Sequence, residues 1–91
     1  MIVNIIWDEE KSAKLKADRG VSFDEIAVLI LEKKYLDVVK HPKRAGQWMF
    51  IMPINGYVHV VPFVLDGDGN VVLKTAFPSR KFHKRLGGKK P

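Results

Sequence analysis

Trp48-Met49-Phe50-Ile51-Met52-Pro53-Ile54-Asn55-Gly56-Tyr57-Val58-His59-Val60-Val61-Pro62-Phe63-Val64-Leu65 is the stretch on which the fold turns. Two β-rich runs, Trp48 to Ile54 and Tyr57 to Leu65, flank Asn55-Gly56, a pair that tolerates positive φ at both positions and so favours a two-residue type I′ hairpin. Unbroken alternation sends Tyr57, His59, Val61 and Phe63 to one face and Val58, Val60 and Val64 to the other. Pro62 lacks a ladder donor, which predicts a bulge or a break in pairing there. Beyond the hairpin, Asp66-Gly67-Asp68-Gly69 is a second turn leading into a third strand, Asn70 to Ala76. Pro78 and Ser79 then open a short helix with Arg80 to Leu86 as its body, and residues 87–91 are expected to form a flexible basic tail.

On the N-terminal side, Ile2 to Trp7 is β-branched and aromatic, suited to a short strand. Asp8 offers an N-cap to a helix over 9–18, thin in apolar residues, that presents Lys11, Lys14 and Asp18 along one side and stops at Gly20. Ser22-Phe23-Asp24-Glu25 is a capping box. The helix it starts, over 23–33, carries Phe23, Ile26, Ala27, Ile30 and Leu31 at core spacing, with Val28 and Leu29 broadening the stripe. Leu36 to Val39 reads as a short strand or extended link, and His41 to Gly46 as a basic loop. The order β-α-α-β-β-β predicts an α+β domain, residues 1–86, with two helices packed on one face of a mainly antiparallel sheet and the other face left to solvent or a partner.

Ninety-one residues suffice for one small core, which excludes a multidomain enzyme. With 46% hydrophobic and 29% charged residues, the chain is too apolar for disorder and too charged for a membrane protein. Cysteine is absent, which removes disulfides, thiolate nucleophiles and cysteine-bound zinc. No secretory signal and no membrane-spanning run is apparent, so a cytoplasmic location is expected. The net charge of +6 is uneven: residues 1–70 sum to −1, whereas 71–91 hold Lys74, Arg80, Lys81, Lys84, Arg85, Lys89 and Lys90 with no acid. One cationic end points to a polyanion or an acidic protein as partner.

Several chemistries lack their motifs. Asp66, Asp68 and Asn70 begin like a calcium loop, but Val71 and Phe77 stand where Gly and a bidentate Glu belong. His41, His59 and His83 have no zinc spacing, and neither a phosphate-binding Gly loop nor a nucleophile elbow occurs, so no metal and no cofactor is expected. Lys74 to Arg85 remains. There a hydroxyl (Ser79), a helix start, permanent cations and one imidazole (His83) fall within a few residues, groups that hold a phosphodiester. Arg80 suits bidentate phosphate binding, and an imidazole of ordinary pKa about 6.5 suits proton transfer. RNA brings its own nucleophile, the 2′-OH, and needs only positioning, charge stabilisation and a proton path. The alternative is that Arg80 caps or pairs within the fold and the other cations are solvated.

Ile6-Trp7-Asp8-Glu9-Glu10-Lys11 with Arg19-Gly20-Val21-Ser22-Phe23-Asp24-Glu25-Ile26 resembles the N-terminal signature of BrnT-like toxins of bacterial toxin–antitoxin systems, part of the RelE-like superfamily. Val60-Val61-Pro62-Phe63-Val64 and Leu73 to Lys81 resemble a subgroup of small toxin-like proteins ending in Lys-Thr-x-x-Pro-Ser-Arg-Lys. The similarity spans about residues 5–86. It implies a RelE-type fold and a metal-independent endoribonuclease that cleaves mRNA, free or ribosome-associated, and inhibits translation. Its partner would be a small cognate antitoxin of ribbon-helix-helix or helix-turn-helix type. Matching by motif, the resemblance carries functional roles to Lys11, Lys74, Ser79, Arg80 and Lys81, with Phe23 structural. The chain departs from the pattern at Pro78-Ser79-Arg80, where Ser-Ala-Arg is usual, and at His83 and Leu86, where the subgroup has Thr and an aromatic.

The expected site therefore comprises Ser79, Arg80, Lys81 and His83 as catalytic groups and Lys11, Lys74, Lys84 and Arg85 as RNA-binding groups. Two other readings stand beside it: a non-catalytic RNA-binding module, with Trp48, Phe50, Tyr57 or Phe63 as stacking platforms, and an inactive toxin relic acting through its antitoxin complex.

Overall fold

The computed structural model describes residues 4–86. The elements are β1 (Ile5–Ile6), α1 (Glu9–Arg19), α2 (Phe23–Leu31), β2 (Asp37–Lys40), β3 (Gln47–Ile54), β4 (Tyr57–Leu65), β5 (Val71–Leu73), β6 (Phe77–Pro78) and α3 (Arg80–Leu86). Ile2 and Val3 of the expected first strand, and the tail over 87–91, lie outside the described residues.

The hairpin forms as read. Asn55 and Gly56 take φ of 53° and 80°, and β3 pairs with β4 antiparallel from Gln47↔Val64 to Ile54↔Tyr57. The register passes through Met49↔Pro62 without a bulge. Pro62 interrupts the other side of β4 instead. Its carbonyl accepts from the Lys74 N–H at 3.0 Å, so its donorless nitrogen also faces away from β3. On that side β5 pairs with Phe63 to Leu65 and β6 with His59 and Val60, leaving Val61 and Pro62 between them. The strand expected over Asn70 to Ala76 is accordingly cut to Val71–Leu73, and β6, at Phe77–Pro78, is a separate short strand beyond it. The sheet order is β1-β5-β4-β3-β2, with β6 also on β4 and β1 parallel to β5.

Both helices start at the expected caps. Asp8 Oδ1 accepts from Glu10 N at 2.8 Å and Lys11 N at 3.3 Å, and Gly20 closes α1 in the left-handed region at φ 75°. Ser22 Oγ accepts from Glu25 N at 3.3 Å. Buried Ser12 accepts from Phe23 N at 3.1 Å, tying the first turn of α2 to α1. Phe23, Ile26, Ala27 and Ile30 are buried as expected, but Leu31 is 65% exposed and Val28 52%. The reason is angular: Leu31 sits about 100° around the helix from Ile30, past the edge of the core stripe. α2 ends there, two residues short of expectation, as Lys33 turns left-handed at φ 57°.

The sheet carries a core on each face. Leu15, Val21, Phe23, Ile26 and Ile30 pack over Phe50, Met52, Ile54, Val61, Phe63 and Leu73, with Phe50 and Phe63 stacked at 4.5 Å. The opposite face, expected to be open, buries Met49, Ile51, Val58 and Val60 under Leu36, Val39, Phe82 and Leu86. α3 is thus a lid on the second face: its Phe82 and Leu86, four apart, point the same way. The Asp66 carboxylate closes its own turn, accepting from Asp68 N and Asn70 N at 2.9 Å and from Asn70 Nδ2 at 3.0 Å. Among the described residues no helix is long and apolar enough to cross a membrane.

Ile30→Ala should cost about 2–5 kcal/mol of unfolding free energy, and Leu31→Ala no more than about 0.5 kcal/mol, in urea titrations. A second test concerns acid. The hydrogen bond from Lys16 Nζ, at 2.6 Å, holds the Glu25 carboxyl below its ordinary 4.5, with desolvation opposing and the Ser22 backbone N–H assisting. A carboxyl lowered in the folded state contributes stability above its unfolded pKa and loses it as pH falls through the folded value. Glu25→Gln should therefore flatten the decline in stability below pH 4.5. The difference should stay under about 1 kcal/mol, since both partners are solvent-screened.

Candidate nucleic-acid interface

Lys11, Lys14 and Asp18 recur at three- and four-residue spacing, so α1 sets them on one side, above Leu15. The chain beyond β5 rises to meet that side, because the Lys74 N–H is bound to Pro62 and Leu73 is paired with Phe63. The result is a cleft of about 390 Å³, with Lys11, Lys14, Asp18 and Arg19 on one wall, Lys74 and Thr75 on the other and Leu15 and Phe23 between. Four cations thus face one carboxylate. None of the four has an ion-pair partner among the described residues, where the ion pairs are Lys16–Glu25 and Lys34–Glu32.

A second group of cations lies on α3. Ser79 is its cap: the hydroxyl oxygen accepts from Phe82 N at 3.3 Å, the carbonyl from His83 N at 2.9 Å, and the Ser79 N–H donates to Val58 O at 2.9 Å. Arg80, Lys81, Lys84 and Arg85 are exposed, the Lys81 ammonium and the Arg85 guanidinium flanking the Phe82 ring at 5.9 and 6.0 Å from its centre, and none is ion-paired among the described residues. His83 faces the sheet. Its Nδ1 accepts from the Val58 N–H at 3.2 Å, and its ring stacks on Tyr57 at 3.9 Å and 7°. With that lone pair engaged, a neutral His83 carries its proton on Nε2 and presents a donor outward.

The sequence-derived residues therefore fall into two places. Lys11 and Lys74 share the α1 cleft. Ser79, Arg80, Lys81, His83, Lys84 and Arg85 sit on α3, whose cap binds β4 at Val58, whereas Leu73 pairs at Phe63. Five strand residues separate these anchors, on the order of 15 Å. Arg19 and Thr75 are cleft residues outside the expected site. Arg19 follows Lys11 by eight residues, a helical repeat that signals the same side; Thr75 follows Lys74 in the Lys-Thr-x-x-Pro-Ser-Arg-Lys stretch, but its place depends on where β5 ends.

No protein-family model matches the chain, and no curated protein matches its sequence. Among solved structures, the crystal structure of the Brucella abortus ribonuclease toxin BrnT is similar, with a TM-score of 0.64 over 85% of this chain and 96% of the toxin's, at 24% identity. The likeness shows that the two share a fold: the α+β architecture described above is that of BrnT.

Because the His83 ring takes the place of a strand partner for Val58, removing its acceptor should loosen α3. His83→Phe keeps an aromatic ring against Tyr57 but orphans the Val58 N–H, and should cost about 1–3 kcal/mol in urea unfolding. Faster amide exchange at Val58 is expected alongside.

Proposed function

We propose that the protein is the toxin of a bacterial toxin–antitoxin system, a metal-independent endoribonuclease that cleaves mRNA and inhibits translation in the cytoplasm. The observation that carries this reading is the α1 cleft, where Lys11, Lys14, Arg19 and Lys74 converge without ion-pair partners among the described residues, on a fold shared with a ribonuclease toxin. Cations so placed hold the phosphates on either side of a scissile bond and offset charge on the phosphorane as the 2′-OH attacks. Arg80, Lys81, Lys84 and Arg85 extend the track, and the Arg80 fork suits a phosphate. Ser79 acts by starting α3 and aiming it. With the His83 lone pair given to the Val58 N–H, His83 offers a hydrogen bond from Nε2–H to a phosphate oxygen and keeps its proton; a lysine of the track moves the proton, taking it from the 2′-OH as the free amine and returning it to the departing 5′-oxygen as the ammonium. A small antitoxin of ribbon-helix-helix or helix-turn-helix type, covering these cations with acidic residues, would silence the protein.

One observation favours a second reading, a non-catalytic RNA-binding module. The imidazole nearest the α3 cations is engaged at Nδ1, and the cleft contains a single carboxylate, Asp18, as an alternative base.

Expression from a tightly controlled promoter should arrest growth and fragment RNA, leaving 2′,3′-cyclic phosphate ends. The pairs Lys11→Ala with Lys74→Ala, and Arg80→Ala with Lys81→Ala, should each restore growth. Equal growth and intact RNA in wild type and variants would refute cleavage. In RNA-retention titrations, each cation that contacts phosphate should lower the salt slope by about 0.7 when removed.

A further inference from the structure

On the helix-covered face of the sheet one cross-strand row runs Lys40, Trp48, Phe63, Leu73. Phe63 and Leu73 are buried. The row emerges at half-buried Trp48 and ends at exposed Lys40. Adjacent strands lie about 4.8 Å apart, so Lys40 is on the order of 15 Å from Leu73, whose neighbour Lys74 lines the α1 cleft.

At the outer end of this row Lys40, His41, Arg44, Gln47 and Trp48 line a second cleft of about 340 Å³. The Lys40 ammonium lies 5.4 Å from the centre of the Trp48 ring. The loop that forms the wall is held from within. His41 Nδ1 accepts from Lys43 N and Arg44 N, both at 3.1 Å, His41 N donates to Gln47 O at 2.8 Å, and Gly46 turns the chain back at φ 77°. Lys40, Lys43 and Arg44 have no ion-pair partner among the described residues.

We infer that this cleft is a second RNA subsite, in which a base of a single strand stacks on Trp48 while Lys40 and Arg44 bind the flanking phosphates, continuing the track that begins at Lys74. The inference rests on the RNA reading of the α1 cleft. Cations alone would serve any polyanion. An indole face, a guanidinium and a carboxamide (Gln47) around one cleft match a nucleobase and its phosphate together. A base held this way must be unstacked from its neighbours, which selects single-stranded RNA over duplex. Lys40 covers the ring in the free protein and transfers to phosphate when the base arrives.

The test uses the Trp7→Phe variant, in which Trp48 is the sole tryptophan, and a 2′-O-methyl oligonucleotide, which lacks the nucleophile. The oligonucleotide should quench Trp48 fluorescence saturably, whereas inorganic polyphosphate, a polyanion without bases, should not. Trp48→Leu, which keeps an apolar side chain against the core, should weaken oligonucleotide binding roughly tenfold and leave polyphosphate binding unchanged. Salt-sensitive oligonucleotide binding with unchanged Trp48 emission, or equal quenching by polyphosphate, would overturn the subsite while leaving the α1 cleft reading intact. Absence of oligonucleotide binding at low salt would overturn both.

Discussion

A single missing hydrogen, on the nitrogen of Pro62, divides the working side of β4. Toward β3 the strand pairs continuously for eight positions, because Pro62 turns its nitrogen the other way. Toward β5 and β6 it presents one paired segment at Phe63 to Leu65 and another at His59 and Val60. The chain leaving β5 therefore releases the ladder at Leu73, lifts Lys74 and Thr75 toward α1, buries Ala76, and rejoins β4 at Phe77. Had residue 62 offered a donor, the strand expected over Asn70 to Ala76 would have had a reason to continue, carrying Lys74 along the sheet instead of into the cleft.

The second consequence of this division is the placement of α3. After the two residues of β6, Ser79 bonds to Val58 O and His83 to Val58 N. A residue at a helix cap and an imidazole one turn later thus replace the strand that would otherwise cover that edge of β4. An open edge invites pairing with other chains, and this one is closed at the cost of a histidine lone pair. The same anchoring directs Phe82 and Leu86 onto the second face of the sheet and leaves Arg80, Lys81, Lys84 and Arg85 to solvent. The fold and the cationic surface follow from one docking geometry.

Local signals in the sequence located the hairpin, both helix caps and the start of α3, because each depends on neighbours within four residues: positive φ at Asn55-Gly56, Asp8 and Ser22 as acceptors, Ser79 ahead of an amphipathic turn. What escaped was non-local. Whether Pro62 would bulge toward β3 or interrupt the other side depends on which ladder its nitrogen faces, and that is set by register. Coverage of the second face could not be inferred from Arg80 to Leu86 until its direction of approach was known. The candidate site shows the same division. Lys11 and Lys74, 63 positions apart, meet because β5 ends where it does, while the α3 residues, contiguous with Lys74 in sequence, are carried away from it.

Charge along the chain is a poor guide to charge at the surface for a related reason. Residues 1–70 sum to −1, which suggests an electrically indifferent body. Five of its ten carboxylates, however, are engaged locally: Asp8 at the N-terminus of α1, Glu25 with Lys16, Glu32 with Lys34, Asp37 on the Val38 N–H, and Asp66 within its own turn. The cations of the same segment are left to converge, Lys11, Lys14 and Arg19 in one cleft and Lys40 and Arg44 in another. At physiological salt a field reaches about 8 Å, so an RNA phosphate in either cleft responds to the lysines and arginines beside it rather than to the sum over the chain. The near-neutral segment thus supplies the cations of both clefts, and under the proposed function it carries as much of the RNA-binding surface as the cationic C-terminal end does.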